Sequence, residues 1–186
     1  MRIISGALKG RLIKFLKNSK TRPLKDKVRE SIFNIIQHSK KIEIKIEGSK
    51  VLDLYSGIGS FGIECLSRGA KKVNFIEQDI SAINILKDNL INLSIISKSR
   101  IFLDKIENVF SGKTDEKFNV IFLDPPFSDS CFIENLRIIK KEKIYHKDHL
   151  IIIHREIKSK DRLEDLLNLI DIKKYGRSKI IFSVFK

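Results

Sequence analysis

The sequence predicts an α/β fold: a seven-stranded, mostly parallel sheet with helices on both faces and an antiparallel last strand. Three observations predict it. From residue 50 onward, short apolar runs alternate with stretches of helical periodicity, the pattern of repeated β–α units. Four of those runs carry an acid at their end: Asp53, Glu77, Asp104 and Asp124. Ligands of open α/β sheets bind outside the carboxyl ends of the strands, so acids placed there face a ligand. The terminal stretch IDIKKYGRSKIIFSVF reads as two strands around Gly176-Arg177, a hairpin and therefore antiparallel.

Taken in order, residues 1–15 (MRIISGALKGRLIKF) read as two short strands, RII and RLIKF, joined through Gly6 and Gly10. Residues 26–38 read as a helix capped by Asp26, with Val28, Ile32, Ile35 and Ile36 on one face. A charged, weakly periodic connector over 39–50 ends in Gly48-Ser49, a candidate boundary. The expected organisation is a basic extension over 1–45, a small hairpin plus helix, followed by one domain over 46–186. Within that domain the strand candidates are 51–55, 72–77, 100–104, 119–124 and 149–156. Helices are expected near 60–68, 80–92, 130–140 and 161–170. There is no internal repeat and no low-complexity linker.

Composition excludes several classes. At 186 residues the chain is about one domain long, and 42% hydrophobic content supports a core rather than disorder. No apolar run approaches the roughly 18 residues of a membrane span. The N-terminus lacks the uninterrupted apolar stretch of a secretory signal. Two cysteines, Cys65 and Cys131, make neither a disulfide framework nor a zinc cage. A reduced, cytoplasmic protein is expected. The histidines show no metal spacing, so no metal is expected; His146, Asp148 and His149 read as a solvated loop. Cys65, Phe110 and Phe132 read as core, and no Ser-His-Asp grouping is evident.

The formal net charge is +14, and residues 1–29 supply +9 of it, with ten Lys/Arg against the single acid Asp26. That is an electrostatic footprint for a phosphate backbone, giving affinity and positioning rather than sequence choice. Nucleic acid is expected before membrane, since no amphipathic anchor is evident. Arg2, Lys9, Arg11, Arg22 and Arg29 are the candidate contacts.

After the first strand comes Asp53-Leu-Tyr55-Ser56-Gly57-Ile-Gly59-Ser-Phe-Gly62, a glycine-rich strand-to-helix turn. Dinucleotide sites use such a turn for a pyrophosphate. A carboxylate at Asp53 repels phosphate and suits a cation, an ammonium or a sulfonium, which points to S-adenosylmethionine rather than a nicotinamide cofactor. Glu77, next to Gln78, lies 24 residues on, close to the roughly 20-residue offset of an acid that binds ribose hydroxyls. Asp104 is placed to accept from an adenine amino group.

The fourth strand runs straight into Asp124-Pro125-Pro126-Phe127. Two prolines fix φ and remove two N–H donors, and Pro125 holds Asp124 extended. The amino group of a base is a weak nucleophile, because its lone pair is delocalised into the ring. Acceptors for its N–H protons turn that lone pair toward an electrophile, and Asp124 and the Pro125 carbonyl can supply them. Phe127 can stack on the base. The base must come from a loop or leave its helix.

The acid–Gly-x-Gly turn, Glu77, Asp104 and Asp-Pro-Pro-Phe, in this order, resemble the class I S-adenosylmethionine-dependent amino methyltransferases, with their Rossmann-like fold. MRIISGALKGRLIKF, Thr21-Arg22-Pro23, the segment Asp26 to Asn34, VLDLYSGIGSFGIECLSRGA and the Tyr175-Gly176 hairpin resemble the bacterial RsmD family over essentially the whole chain. The resemblance implies methylation of guanine N2 in small-subunit (16S) ribosomal RNA, on the assembled subunit or a late precursor, by a monomer. It implies that Asp53, Tyr55, Ser56, Gly57 and Gly59 line the methionine end of S-adenosylmethionine. Glu77 would then take the ribose, Asp104 the adenine, and Asp124 to Phe127 the guanine amino group, with Gln78 and Asp124 also among the cofactor-binding residues. Arg22 and Arg29 match the family's N-terminal motif. The chain departs from the family in Tyr55-Ser56 and in Leu24-Lys25. The alternatives are a DNA adenine-N6 methyltransferase, which lacks a target-recognition domain here, and an RNA-binding assembly factor that has lost catalysis, against which the intact acids argue.

Overall fold

The computed structural model describes residues 1–15, 24–110 and 114–186. Its frame is a seven-stranded sheet in the order β3-β2-β1-β4-β5-β7-β6. The strands are β1 Lys50–Leu54, β2 Lys72–Glu77, β3 Ser99–Leu103, β4 Phe118–Leu123, β5 Tyr145–Glu156, β6 Leu167–Tyr175 and β7 Ser178–Phe185. The first five pair in parallel, and β7 runs antiparallel between β5 and β6. Among the described residues no helix is long and apolar enough to cross a membrane.

Strand parity sorts the core into two layers. Val51, Val73, Phe75, Val120, Phe122 and Ile152 pack with α1 (Asp26–His38), α2 (Ser60–Ser67) and α3 (Ile80–Asn92). Leu52, Leu54, Ile121, Leu123, Ile151 and Ile153 pack with α4 (Ile106–Val109) and α5 (Phe132–Lys141). Both faces are covered, which is why the central strands read as continuous apolar runs rather than as alternation. Phe61 of α2 ties the first layer together. Its ring stacks on Phe33 of α1 at 5.2 Å and on Phe122 of β4 at 4.0 Å. Such pairs add about 0.5–1.5 kcal/mol each beyond area burial. Cys65, Phe110 and Phe132 are buried as expected.

The N-terminal arm belongs to this first layer: Ile3, Ile13, Val28 and Phe33 share one cluster with the sheet. The arm is held by the start of the chain docking on α2. The Glu64 carboxylate accepts the Ile4 and Ser5 N–H groups at 2.8 and 3.0 Å, and Ser67 O accepts from Ala7 N–H at 2.7 Å. Gly6 permits this approach. It has φ +84°, and an added Cβ would lie 1.9 Å from Ser67 O.

Several expectations change. The two N-terminal strands reduce to one bridge, Arg2 to Leu12, flanked by Ile3 N–H to Arg11 O and Ile13 N–H to Met1 O, because the next residues, Ile4, Ser5, Ala7 and Leu8, bond to α2 instead. Asp26 is the first residue of α1 rather than its cap; its carboxylate pairs with Arg29 at 3.1 Å. The helix expected at 161–170 is absent: β6 starts at Leu167 because the outer edge of β7 takes a partner. His146, Asp148 and His149 lie in β5, not in a loop. His149 is buried, its Nε2 accepting the Phe185 N–H at 2.9 Å.

Candidate active site

The chain leaves β1 toward β2 and β3 on one side, then returns to pair β4 on the other. That reversal is the topological switch point, and open α/β sheets bind ligands in a crevice outside the carboxyl ends of the strands at such a point. Ladder bonds continue past the strand ends. Ser56 N–H donates to Ile76 O at 3.1 Å, Asp104 N–H to Glu77 O at 3.2 Å and Asp124 N–H to Leu54 O at 3.4 Å. The turn residues and strand-end acids therefore sit along one edge, held by the sheet itself.

Asp53 lies at the bottom of this edge, 1% exposed, with Oδ2 accepting the Gly62 N–H of α2 at 2.9 Å. It joins strand to helix rather than standing open in the crevice. Burial pushes its carboxyl well up, against the Gly62 hydrogen bond, and the nearby Asp124 and Glu77 push it further. Asp124 and Glu77 thus lie close enough to disfavour ionisation of Asp53, and a cation at this edge would relieve that repulsion. Tyr55 takes φ 59°, a left-handed backbone costing about 1–2 kcal/mol for a residue with a Cβ. Its hydroxyl accepts from Asn135 Nδ2 at 2.8 Å. Burial, and then Asp129, raise its phenol well above the ordinary value. Ser56 Oγ is buried with no hydrogen-bond partner among the described residues. Gly59 (φ +81°) opens α2; an added Cβ there would lie 2.4 Å from Leu86 Cδ1. At Gly57 an added Cβ meets nothing within 4 Å, so the backbone faces open space.

Glu77 spans the mouth of the turn. Oε2 accepts the Gly57 N–H at 2.8 Å, and Oε1 accepts the Gln78 and Asp79 N–H groups at 2.8 and 2.9 Å. Gln78 is itself exposed. Asp104 is exposed and accepts from Asn108 Nδ2 at 2.8 Å and Lys105 N–H at 2.7 Å, which hold its carboxyl below the ordinary value.

The Asp124–Phe127 loop is braced from β5. Arg155 donates to Pro126 O at 3.0 Å and Phe127 O at 3.2 Å; Asp161 receives its other N–H groups at 3.1 and 3.2 Å. Its guanidinium lies over the Phe132 ring at 4.5 Å. Pro126 O also accepts from Asp129 N–H at 2.8 Å. The Pro125 carbonyl has no donor among the described residues. Asp124 Oδ1 accepts from His154 Nδ1 at 2.7 Å, and the His154 ring meets Phe127 edge-on at 5.6 Å. Phe127 is 39% exposed.

The carboxyl edge therefore gathers Tyr55, Ser56, Gly57, Gly59, Glu77 and Asp124 to Phe127, with Asp53 buried beneath them and Asp104 alongside. Arg2, Lys9 and Arg11 are exposed on the arm. Arg22 lies outside the described residues. Arg29, expected as an RNA contact, is instead buried: it is 0% exposed, donating to Arg2 O at 2.5 Å and facing Asp26 and Glu64. His154 and Arg155 are the residues that sequence reasoning missed. The sequence showed only that both follow an apolar run; the parallel pairing of β5 with β4, which sets the ends of the two runs side by side, is a tertiary fact.

The family described as "Conserved hypothetical protein 95" matches residues 1–184. "Putative rRNA methyltransferase YlbH" of Bacillus subtilis is 34% identical over 171 residues, 90% of each chain. "Ribosomal RNA small subunit methyltransferase D" of Haemophilus influenzae is 32% identical over 158 residues, 84% of this chain and 79% of its own. Of solved structures, "Putative methyltransferase yhhF from Escherichia coli" has a TM-score of 0.85 at 25% identity, covering 100% of this chain and 98% of that one.

Proposed function

The chain belongs to the RsmD family, and from that premise we propose that it transfers a methyl group from S-adenosylmethionine to the N2 amino group of a guanine in small-subunit ribosomal RNA. The observation that carries the reading is the Asp124–Phe127 loop, held rigid at the switch point beside the electronegative turn.

The residues fit the methyl donor. The clustered acids suit a cationic ligand, the unpartnered Ser56 Oγ offers a hydrogen bond, and the open space at Gly57 admits close approach. Glu77 uses two oxygens for three N–H groups and retains one lone-pair site for a ribose hydroxyl. The donor supplies an electrophilic methyl group on a sulfonium. Asp124 and the Pro125 carbonyl accept the two amino N–H groups, turning the nitrogen lone pair toward that carbon. Arg155 occupies the Pro126 and Phe127 carbonyls, so these do not compete for the base. Phe127 offers a stacking face worth about 1–3 kcal/mol. Transfer joins carbon to N2, breaks the carbon–sulfur bond with its electron pair left on sulfur, and releases one amino proton, which Asp124 receives. Rate comes mainly from holding the reacting atoms in line.

The test is methyl transfer from labelled donor to three acceptors: small ribosomal subunits lacking the modification, naked ribosomal RNA and duplex DNA. The product nucleoside is identified in each case. N2-methylguanine from an RNA acceptor is expected. Asp124→Ala should abolish it while weakening donor binding far less, since Glu77 and the glycine turn remain; an equal loss of donor affinity would contradict the assigned role. N6-methyladenine in DNA would replace the substrate assignment, and no transfer would favour an RNA-binding role without catalysis.

A further inference from the structure

We propose that His154 is a positioning residue for methyl transfer: its Nδ1–H fixes the Asp124 carboxylate so that Oδ2 alone is presented to the substrate amino group. The inference rests on the reading above and extends it by a residue that neither the glycine turn nor the Asp-Pro-Pro-Phe segment contains.

The placement follows from register. Phe122 pairs with Ile152 and Leu123 with Ile153, so the next positions, 124 and 154, are neighbours on one face of the sheet. His154 is itself inside the ladder, paired with Ile180 of β7. Its backbone therefore lies within a strand and is held by β7, whereas Asp124 lies past the end of β4 and is held by one long ladder bond, its N–H to Leu54 O at 3.4 Å. The stiffer residue orients the other. A carboxylate only accepts, so the 2.7 Å contact assigns the Nδ1 proton to the histidine. The His154 and Asp124 side chains are 14% and 23% exposed, enough shielding for a charge-assisted hydrogen bond to hold one rotamer. The His154 ring also supports Phe127 edge-on, so one side chain sets both the acceptor and the stacking face.

The consequence is geometric. With Oδ1 engaged, Oδ2 and the Pro125 carbonyl remain as the two acceptors, matching the two N–H groups of one exocyclic amino group. Without His154 the carboxylate is free to rotate about its Cβ–Cγ bond and presents either oxygen. Transfer, which needs one alignment, then slows, while donor binding at the turn does not change.

The experiment measures kcat, donor Kd and melting temperature for the wild type, His154→Ala, His154→Gln and His154→Asn, with undermethylated small subunits as acceptor. Asn places an amide N–H on Cγ, where the imidazole carries Nδ1; Gln places it one carbon farther out. The expected result is a kcat lowered about 10- to 100-fold in Ala and Gln, the span of one hydrogen bond to a charged group. Donor Kd should stay within about twofold, and Asn should restore most of kcat. A purely structural role would lower melting temperature and donor affinity together and would not separate Asn from Gln. Should Ala not fold, the Asn–Gln pair carries the comparison. Transfer by the wild type with kcat unchanged in Ala and Gln, or with Asn as slow as Gln, overturns this inference alone. No transfer by the wild type to guanine overturns the functional reading and this inference with it.

Discussion

Single side chains carry two separable duties at the crevice, shaping the backbone and presenting chemistry. Gly59 shapes. Its left-handed φ and the 2.4 Å approach of Leu86 to any added Cβ leave no room for a side chain. Gly59→Ala should destabilise the fold by about 1–3 kcal/mol, the range for overpacking, and weaken donor binding. Denaturant titration and a binding isotherm would check both, and an unchanged midpoint would refute it. Arg29 also shapes, contrary to its basic-patch reading. It is buried against Glu64, whose other partners are Arg68 at 2.9 Å and two N–H groups of the arm. Arg29→Leu should cost about 3 kcal/mol, near the low end for breaking a buried pair, because Arg68 still faces Glu64. An unfolding measurement tests this. Full stability would mean that Arg68 alone suffices.

Among the elements, the N-terminal arm and β5 link fold to function. The arm lies on α2 and α3, with Lys14 meeting Asp88 at 3.0 Å and Arg11 donating to Asn92 O at 3.2 Å. Both contacts are exposed and contribute little to stability. The cations therefore remain available to phosphates. Neutralising Lys9, Arg11 and Lys14 together should weaken RNA binding and flatten the dependence of affinity on salt by up to three phosphate contacts. Binding isotherms at several salt concentrations read the slope, and an unchanged slope would sink the footprint argument. In β5, the apolar run was legible as a strand, but what its last residues touch was not. His154 and Arg155 read only as polar residues ending a run, until the parallel pairing with β4 placed them under the Asp124–Phe127 loop. The segment 161–170 shows the opposite failure. Leu163, Leu166, Leu167 and Ile170 have helical spacing, and a single turn does survive there, with Leu167 N–H donating to Leu163 O at 2.8 Å. Beyond it the edge of β7 offers a ladder from Leu167 to Tyr175, interrupted only by a register shift between Leu169 and Asp171, and pairing overrides local periodicity.

For the molecule as a whole, charge and acid stability follow from what is buried. The chain's net charge is +14, whereas the strand-end acids Asp53, Glu77 and Asp124 lie near one another, so on the proposed function RNA and a cationic donor are attracted by different parts of one chain. His149 couples the fold to pH. Buried against Phe185, with Nε2 accepting a backbone N–H, its imidazole is held below the ordinary 6.5, chiefly by burial. The unfolded chain takes that proton near 6.5 and the folded chain resists it, so the unfolded state binds more protons in acid. Stability should then be full above about pH 6.5 and fall below it, by at most about 1.4 kcal/mol per pH unit for this group. Unfolding free energies at pH 7.5 and 5.5, for the wild type and His149→Gln, test the sign. A variant as acid-sensitive as the wild type would clear His149 of the effect.

The sequence by itself determined the α/β class, the seven strands, the acids along one edge, the glycine turn and the Asp-Pro-Pro-Phe loop. All of these are written in local patterns: runs of apolar residues, spacing, and residues with restricted or extended φ. Only the tertiary structure decided that Arg29 is a buried partner of Glu64, that Asp53 ties strand to helix, that β6 replaces a helix, and that His154 and Arg155 hold the loop. Those outcomes depend on which distant residues meet, and a long-range contact leaves no periodicity in the chain that makes it. Charge and hydropathy describe a side chain, whereas its role depends on the register and packing that bring a partner within about 3 Å.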